Sequence, residues 1–196
     1  MFSDALPVAE RFAELLATDG IVRGLIGPRE VPRLWDRHLL NCALVTEPIA
    51  QGATVCDIGS GAGLPGLVMA IRRPDLQVTL VEPLLRRTTF LDETVSSLGL
   101  DNVTVVRARA EERHGTVTFD VVTARAVAPL DKLSRWALPL VRTGGEFLAM
   151  KGSSAEAEVD AARAVITRQR GVFRDILDVG TEIVDPPVRL VRIDKR

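Results

Sequence analysis

Tyrosine is absent from this chain and aromatic residues make up only 4% of its 196 positions, which argues against a broad base-stacking platform for single-stranded nucleic acid. Cysteine is scarce too. Cys42 and Cys56 are the only two, both in apolar surroundings; one possible pair is no disulfide framework, so reduced core thiols are expected. His38 and His114 are the only histidines, and no metal-ligating cluster is visible. No apolar run approaches the ~18 residues of a membrane helix. Asp4 and Glu10 stand where a signal peptide would carry its basic start and apolar stretch, so a cytoplasmic protein is expected. Neither sign of charge dominates: 25 basic residues face 26 acidic ones, for a net charge of -1 and a pI of about 6.2. A nucleic-acid ligand would therefore need a local basic patch. Lysine is nearly missing, with Lys132, Lys151 and Lys195 as the whole set.

What is present describes an ordinary globular protein, 46% hydrophobic and 26% charged, of a length suited to one domain. From residue 54 onward, β-branched runs alternate with amphipathic segments. The runs are TVCDIG, QVTLVE, VTVVRA, FDVVTA, GEFLAM and VRLVRI. Such alternation predicts a parallel sheet wrapped by helices, with strands apolar on both faces. Leu84, Leu85, Thr88, Leu91, Val95 and Leu98 recur at helical spacing and Gly99 stops that helix. A later helix is expected to open at Ser153 or Ser154, with Glu156 behind, and to close at Gly171. Before residue 50 no strand signal occurs. Val8, Phe12, Leu15 and Leu16 share one face of a helix over Leu6 to Ala17, and Leu34, Leu39, Leu40 and Leu44 mark another over Val31 to Val45, with Pro32 in its first turn. The expected division is a helical cap, 1–50, on an α/β unit, 51–196, working as a monomer.

The densest signal is the turn after the first run, where Gly59, Gly61, Gly63 and Gly66 crowd the passage from strand to helix. Residues without side chains let the backbone approach a ligand, and a helix start offers free N–H groups. Glu82 ends the second run 23 residues after Gly59, where a carboxylate can accept both hydroxyls of a ribose. Together these point to a nucleoside cofactor. NAD and S-adenosylmethionine (SAM) both fit an acidic residue there. Asp57, inside the first strand, favours SAM, because it can face an ammonium and a sulfonium but would repel a pyrophosphate. No constellation of His with Asp or Arg suited to hydride transfer follows, and His114 sits in a polar turn, EERHGT, as an expected surface residue.

The segments RHLLNC (37–42), DIGSGAGLPG (57–66), LVEPLLRRTTFL (80–91), RAEE (109–112), TARAVAPL (123–130) and MKG (150–152) stand in an order and spacing that resemble the glucose-inhibited division protein B family. The likeness spans roughly residues 31–152. It implies a doubly wound, Rossmann-like SAM methyltransferase sheet of seven strands, the last antiparallel, and methylation of guanine N7 in small-subunit (16S) ribosomal RNA. Carried over by motif, it implies that Gly59 and Leu64 line the methionine end of SAM, Glu82 the ribose, and Ala110 with Glu111 the adenine. Gly61, Gly63 and Asp57 complete that cofactor set, and Arg125 stands beside the methyl group and the target base, polarising or positioning it.

The chemistry agrees. Guanine N7 offers an in-plane lone pair at neutral pH, so no general base is required. TARAVAP lacks the Asn/Asp-Pro-Pro-aromatic signature that would hold an exocyclic amine. Asp185, Pro186, Pro187 and Val188 imitate it without the aromatic and read as a turn. For the RNA or the ribosomal subunit, Arg29, Arg33 and Arg37 follow at four-residue spacing beside His38. Such a ridge can fork onto phosphates, and on pattern alone a solvated face paired with Glu30 and Asp36 fits as well. Lys151 closes the fifth run at the sheet edge where ligands of open α/β folds gather. Arg33, Arg37, His38 and Lys151 are thus the expected RNA contacts, whereas Trp35 and Trp136 are expected in the core. Three rival readings remain: a small-molecule N-methyltransferase, a non-catalytic SAM-holding RNA-binding or assembly protein, and an NAD oxidoreductase.

Overall fold

Six of the seven strands grow from the β-branched runs, because Val, Ile, Phe and Thr suit a pleated surface packed on both sides. In the computed structural model, which describes residues 1–125 and 128–196, they are β1 (Thr54–Ile58), β2 (Gln77–Val81), β3 (Val103–Val106), β4 (Phe119–Arg125), β5 (Val141–Lys151) and β7 (Val188–Lys195), with β6 (Gly171–Val179) between the last two in sequence. Ala126 and Val127 of the TARAVAPL segment lie outside the described residues. The sheet order is β3-β2-β1-β4-β5-β7-β6. Strands β1 to β5 pair in parallel, while β7 runs antiparallel to both β5 and β6. The doubly wound sheet with an antiparallel last strand is as expected.

β6 has no clean run because it is an edge strand. It pairs only with β7, carries Arg174, Asp175 and Asp178, and slips register between Phe173 and Asp175. Edge charges of this kind discourage pairing with other chains.

Alternate strand residues feed two apolar clusters. On one face Val55, Val78, Leu80 and Leu148 meet α1 (Leu6–Leu15), α2 (Leu40–Leu44), α3 (Gly66–Arg72) and α4 (Leu85–Leu98). On the other, Ile58, Val122, Phe147 and Val191 meet α5 (Leu130–Ala137) and α6 (Ala155–Arg168). The N-terminal helices therefore share a core with the sheet. Gly99 ends α4 at a φ of 64°, the left-handed geometry that suits glycine.

Three local expectations are corrected. Gly171 does not stop α6: Arg170 makes the left-handed turn at a φ of 61°, and Gly171 opens β6, where a Cβ would press on Ile193, Leu138 and Ile166. The hydroxyl of Ser154 caps nothing and bonds to Glu158 at 3.0 Å instead. The second cap helix is not continuous over Val31 to Val45. Pro32 has no N–H to offer a helical ladder, and the chain runs as a tight turn over Pro28–Arg33 and a wide one over Leu34–Leu39 before α2 begins. The wide turn rotates His38 inward with Leu39 and leaves Leu40 half-buried.

Candidate active site

A cavity of about 600 Å³ opens at the C-terminal ends of β1, β2 and β4, beside the point where strand order reverses between β1 and β4, the usual ligand position in open α/β sheets. Gly59, Gly61 and Gly63 take positive φ values of 70°, 58° and 89°, which ordinary side chains rarely tolerate. Gly59 donates its N–H to Val81 O at 2.8 Å, so the loop is stitched to β2. Glu82 follows directly, with its side chain 1% exposed. Its Oε2 accepts from Gly61 N–H at 3.0 Å and from the Arg87 guanidinium at 3.3 Å, and its Oε1 accepts from Leu84 N–H at 3.0 Å. Of the expected cofactor residues, Gly59, Gly61, Leu64, Glu82, Ala110, Glu111 and Arg125 all line this cavity.

Asp57 and Gly63 do not line it. The side chain of Asp57 points beneath the loop, where Oδ2 accepts from Gly66 N–H at 3.0 Å, while Oδ1 finds no partner among the described residues. The amide at the start of α3 is thus occupied from within, and a carboxylate fills the place where a dinucleotide would seat its pyrophosphate. Gly63 serves packing, since a Cβ there would fall 2.4 Å from Leu67 Cδ1. Gly66 is required for the same reason: its Cβ would lie 2.3 Å from Leu80 Cδ2 and 2.8 Å from Asp57 Oδ2. Gly66→Ala is expected to cost about 1 to 3 kcal/mol, as overpacking of a filled core does, read from the midpoint of chemical denaturation. An unmoved midpoint would mean that Leu80 and Asp57 step aside freely.

Burial pushes the Asp57 carboxyl up from 3.8 to about 7, against the pull of the Gly66 hydrogen bond. The folded chain then binds more protons than the unfolded chain between about pH 4 and pH 7. Asp57 therefore favours folding at the acid end of that window, and this contribution fades as pH rises through it. The melting temperature should fall across this window more steeply in the wild type than in Asp57→Asn. Parallel curves would remove Asp57 as the source.

A second cavity, of about 1140 Å³, lies against the first. Arg33, Arg37, His38 and Lys151, the four expected RNA contacts, all line it, and Arg125 lines both cavities. Arg125 closes β4, and its Nη1 donates to His38 Nδ1 at 2.9 Å and reaches Cys42 Sγ at 3.6 Å. On its other side the His38 ring donates from Nε2 to Glu30 Oε2 at 2.7 Å. Arg37 stands 3.7 Å from the same carboxylate. Lys151 is held within the wall: its ammonium donates to Glu158 at 2.7 Å and to Ala128 O at 2.8 Å, and its side chain is 7% exposed. Burial raises both thiols, Cys42 to about 11 and Cys56 further, so neither is a ready thiolate.

Several site residues escaped the sequence reading. Trp136 lines the first cavity; its signal is that it falls off the buried stripe of α5 set by Leu130, Leu133, Ser134 and Ala137. His114 is no free surface residue, because its Nε2 donates to the main-chain carbonyl of Trp136 at 3.0 Å and ties the EERHGT turn to α5. Leu25 and Ile26 bring the N-terminal cap over the first cavity, and the Asp185-Pro186-Pro187 turn forms a wall of the second. Nothing local announces either placement.

The family model for rRNA small subunit methyltransferase G matches residues 6–182. The chain belongs to the rRNA small subunit methyltransferase G family. Among curated relatives bearing that name, one from Thermobifida fusca is 62% identical, covering 98% of this chain and 81% of its own length. Another, from Nocardioides sp., is 60% identical over 97% and 76%. Solved structures bear out the fold alone. A ribosomal protein L11 methylase from Lactobacillus delbrueckii superposes with a TM-score of 0.59 at 12% identity, over 80% of this chain and 77% of that one. M. jannaschii TYW2 in complex with AdoMet gives 0.60 at 13%, over 81% and 74%. This family member is accordingly an rRNA methyltransferase on the Rossmann-like sheet of SAM-dependent enzymes, and among its described residues no helix is long and apolar enough to cross a membrane.

Proposed function

We propose that the chain transfers the methyl group of SAM to N7 of a guanine in 16S rRNA, with the cofactor in the first cavity and the target nucleotide in the second. The observation that carries this reading is the single arginine, Arg125, shared by the walls of both cavities. The first cavity suits the cofactor in size. Glu82 keeps one lone pair, on Oε1, for a ribose hydroxyl beyond its three protein donors, and Ala110 and Trp136 offer an apolar wall to an adenine. Bound there, SAM supplies a methyl group already activated on a sulfonium.

The chain's own residues then have positioning to do and little proton chemistry. Guanine N7 carries its lone pair in the base plane, so no side chain need remove a proton. The raised thiols speak against attack at a cytosine C5. Arg125 retains Nε and Nη2 without a partner among the described residues, and these can donate to guanine O6. Such a contact orients the base; it also draws electron density from the ring, so its benefit lies in placement rather than activation. Arg33 and Arg37, both exposed on the second cavity, supply phosphate contacts. An rRNA substrate implies work in the cytoplasm. The test uses small subunits and 16S rRNA from cells lacking this gene, incubated with labelled SAM, followed by cleavage mapping of N7-methylguanosine. Label at one guanine N7 is expected. No label, or label in another nucleoside, overturns the reading.

A further inference from the structure

His38 is 9% exposed, and both of its ring nitrogens are used inside the protein. Nδ1 faces Arg125 Nη1 at 2.9 Å and Nε2 faces Glu30 Oε2 at 2.7 Å. A guanidinium only donates and a carboxylate only accepts, so these partners select one tautomer: Nδ1 bare, Nε2 protonated. An imidazole so occupied has no nitrogen left for an RNA phosphate. We propose that His38 is a positioning residue, anchored by Glu30, whose bare Nδ1 holds the Arg125 guanidinium at the wall between the two cavities. This rests on the proposed role of Arg125.

Both ends of the relay support it. The Glu30 carboxyl is held below its ordinary value, first by the hydrogen bond from His38. The imidazole is lowered chiefly by burial, with the Glu30 bond opposing and Arg125 and Arg37 adding their repulsion. Glu30 touches the ring directly, and the charged groups that share its cavity are Arg33, Asp36 and Arg37 from the cap, Arg125 from β4, Lys151 from β5, and Asp178, Asp185 and Arg189 from the β6–β7 side. Protonation at Nδ1 would replace an acceptor by a donor and set two cations against each other. Methyl transfer should therefore fall as pH drops through the titration of this ring.

Only two histidines occur in the chain, so nitrogen-15 spectra of the wild type and of His114→Gln isolate the His38 ring without any activity assay. The expected signature is a neutral Nε2–H tautomer near neutral pH; an Nδ1–H tautomer or an imidazolium overturns the proposal. In kinetics, His38→Ala should lower kcat roughly 10- to 100-fold, the scale of a misplaced reacting group, with SAM affinity within about threefold of wild type. His38→Asn, whose amide oxygen can stand near the Nδ1 position, should recover most of that loss and abolish the acid limb of the pH profile. The limb should persist in Asp57→Asn, which separates it from the buried carboxyl pushed up to about 7. Wild-type kcat in His38→Ala, or an unchanged acid limb in His38→Asn, sinks the proposal. A wild-type protein that methylates no guanine N7 sinks the functional reading instead, and leaves the tautomer result to stand or fall by itself.

Discussion

Arg125→Ala is expected to lower the single-turnover rate of methyl transfer at least about 100-fold, while SAM affinity stays within a few-fold of wild type. The rate falls because the side chain belongs to the wall between donor and acceptor, and misplacement there by about 1 Å costs on this order. Affinity changes little because a guanidinium beside a sulfonium is a like charge, so its removal takes no attraction away from the cofactor. The truncation leaves His38 Nδ1 without its donor and opens a gap beside Cys42, so thermal stability should be recorded alongside. Arg125→Lys separates charge from geometry. Lysine keeps the charge but not the planar fork that can hold His38 and a base edge together, and a rate between those of the wild type and alanine is expected. Single-turnover transfer to rRNA and calorimetric titration with SAM check both numbers. Wild-type transfer in Arg125→Ala would remove its assigned place.

What could be read from the sequence follows the distance over which each feature is determined. The glycine loop and Glu82 are legible because a strand, a sharp turn and the tip of the neighbouring strand are fixed within a few dozen residues by local geometry. Gly99 is legible for the same reason, as a stop needing only its own φ. The contact of His38 with Arg125 joins residues 87 positions apart, and it depends on the cap's wide turn over Leu34–Leu39, which heptad counting treats as regular helix. Lys151 was rightly placed at the sheet edge, yet its partner Glu158 sits on the next helix, and pairing decides whether a lysine is free to meet a phosphate. Asp57 shows the limit of spacing alone. Its position two residues before Gly59 suggested a ligand contact, but alternation along β1 directs it to the face where α3 begins.

Glu82→Ala should weaken SAM binding about 100- to 1000-fold, or roughly 3 to 4 kcal/mol at 1.4 kcal/mol per tenfold. The carboxylate does two jobs that fail together. It accepts from Gly61 N–H and Leu84 N–H, fastening the glycine loop to the start of α4, and it draws in Arg87. Without it, two partly buried amides lose their acceptor, at about 1 to 3 kcal/mol for a buried donor left unmade, and the ribose hydroxyls lose a charged partner as well. Glu82→Gln tells these apart. Its one amide oxygen can serve one of the two main-chain donors while its NH₂ opposes the other, so the glutamine variant should lose less melting temperature than the alanine variant and still bind poorly. Calorimetric affinity and melting temperature, measured on both variants, resolve the two contributions. The kinetic pattern should mirror that of Arg125→Ala: at saturating SAM the alanine variant at position 82 keeps much of its transfer rate, because the loss is incurred on binding and little further is lost at the transition state. Affinity within threefold of wild type in Glu82→Ala would mean that the ribose is held elsewhere, and the first cavity would lose its claim to the cofactor.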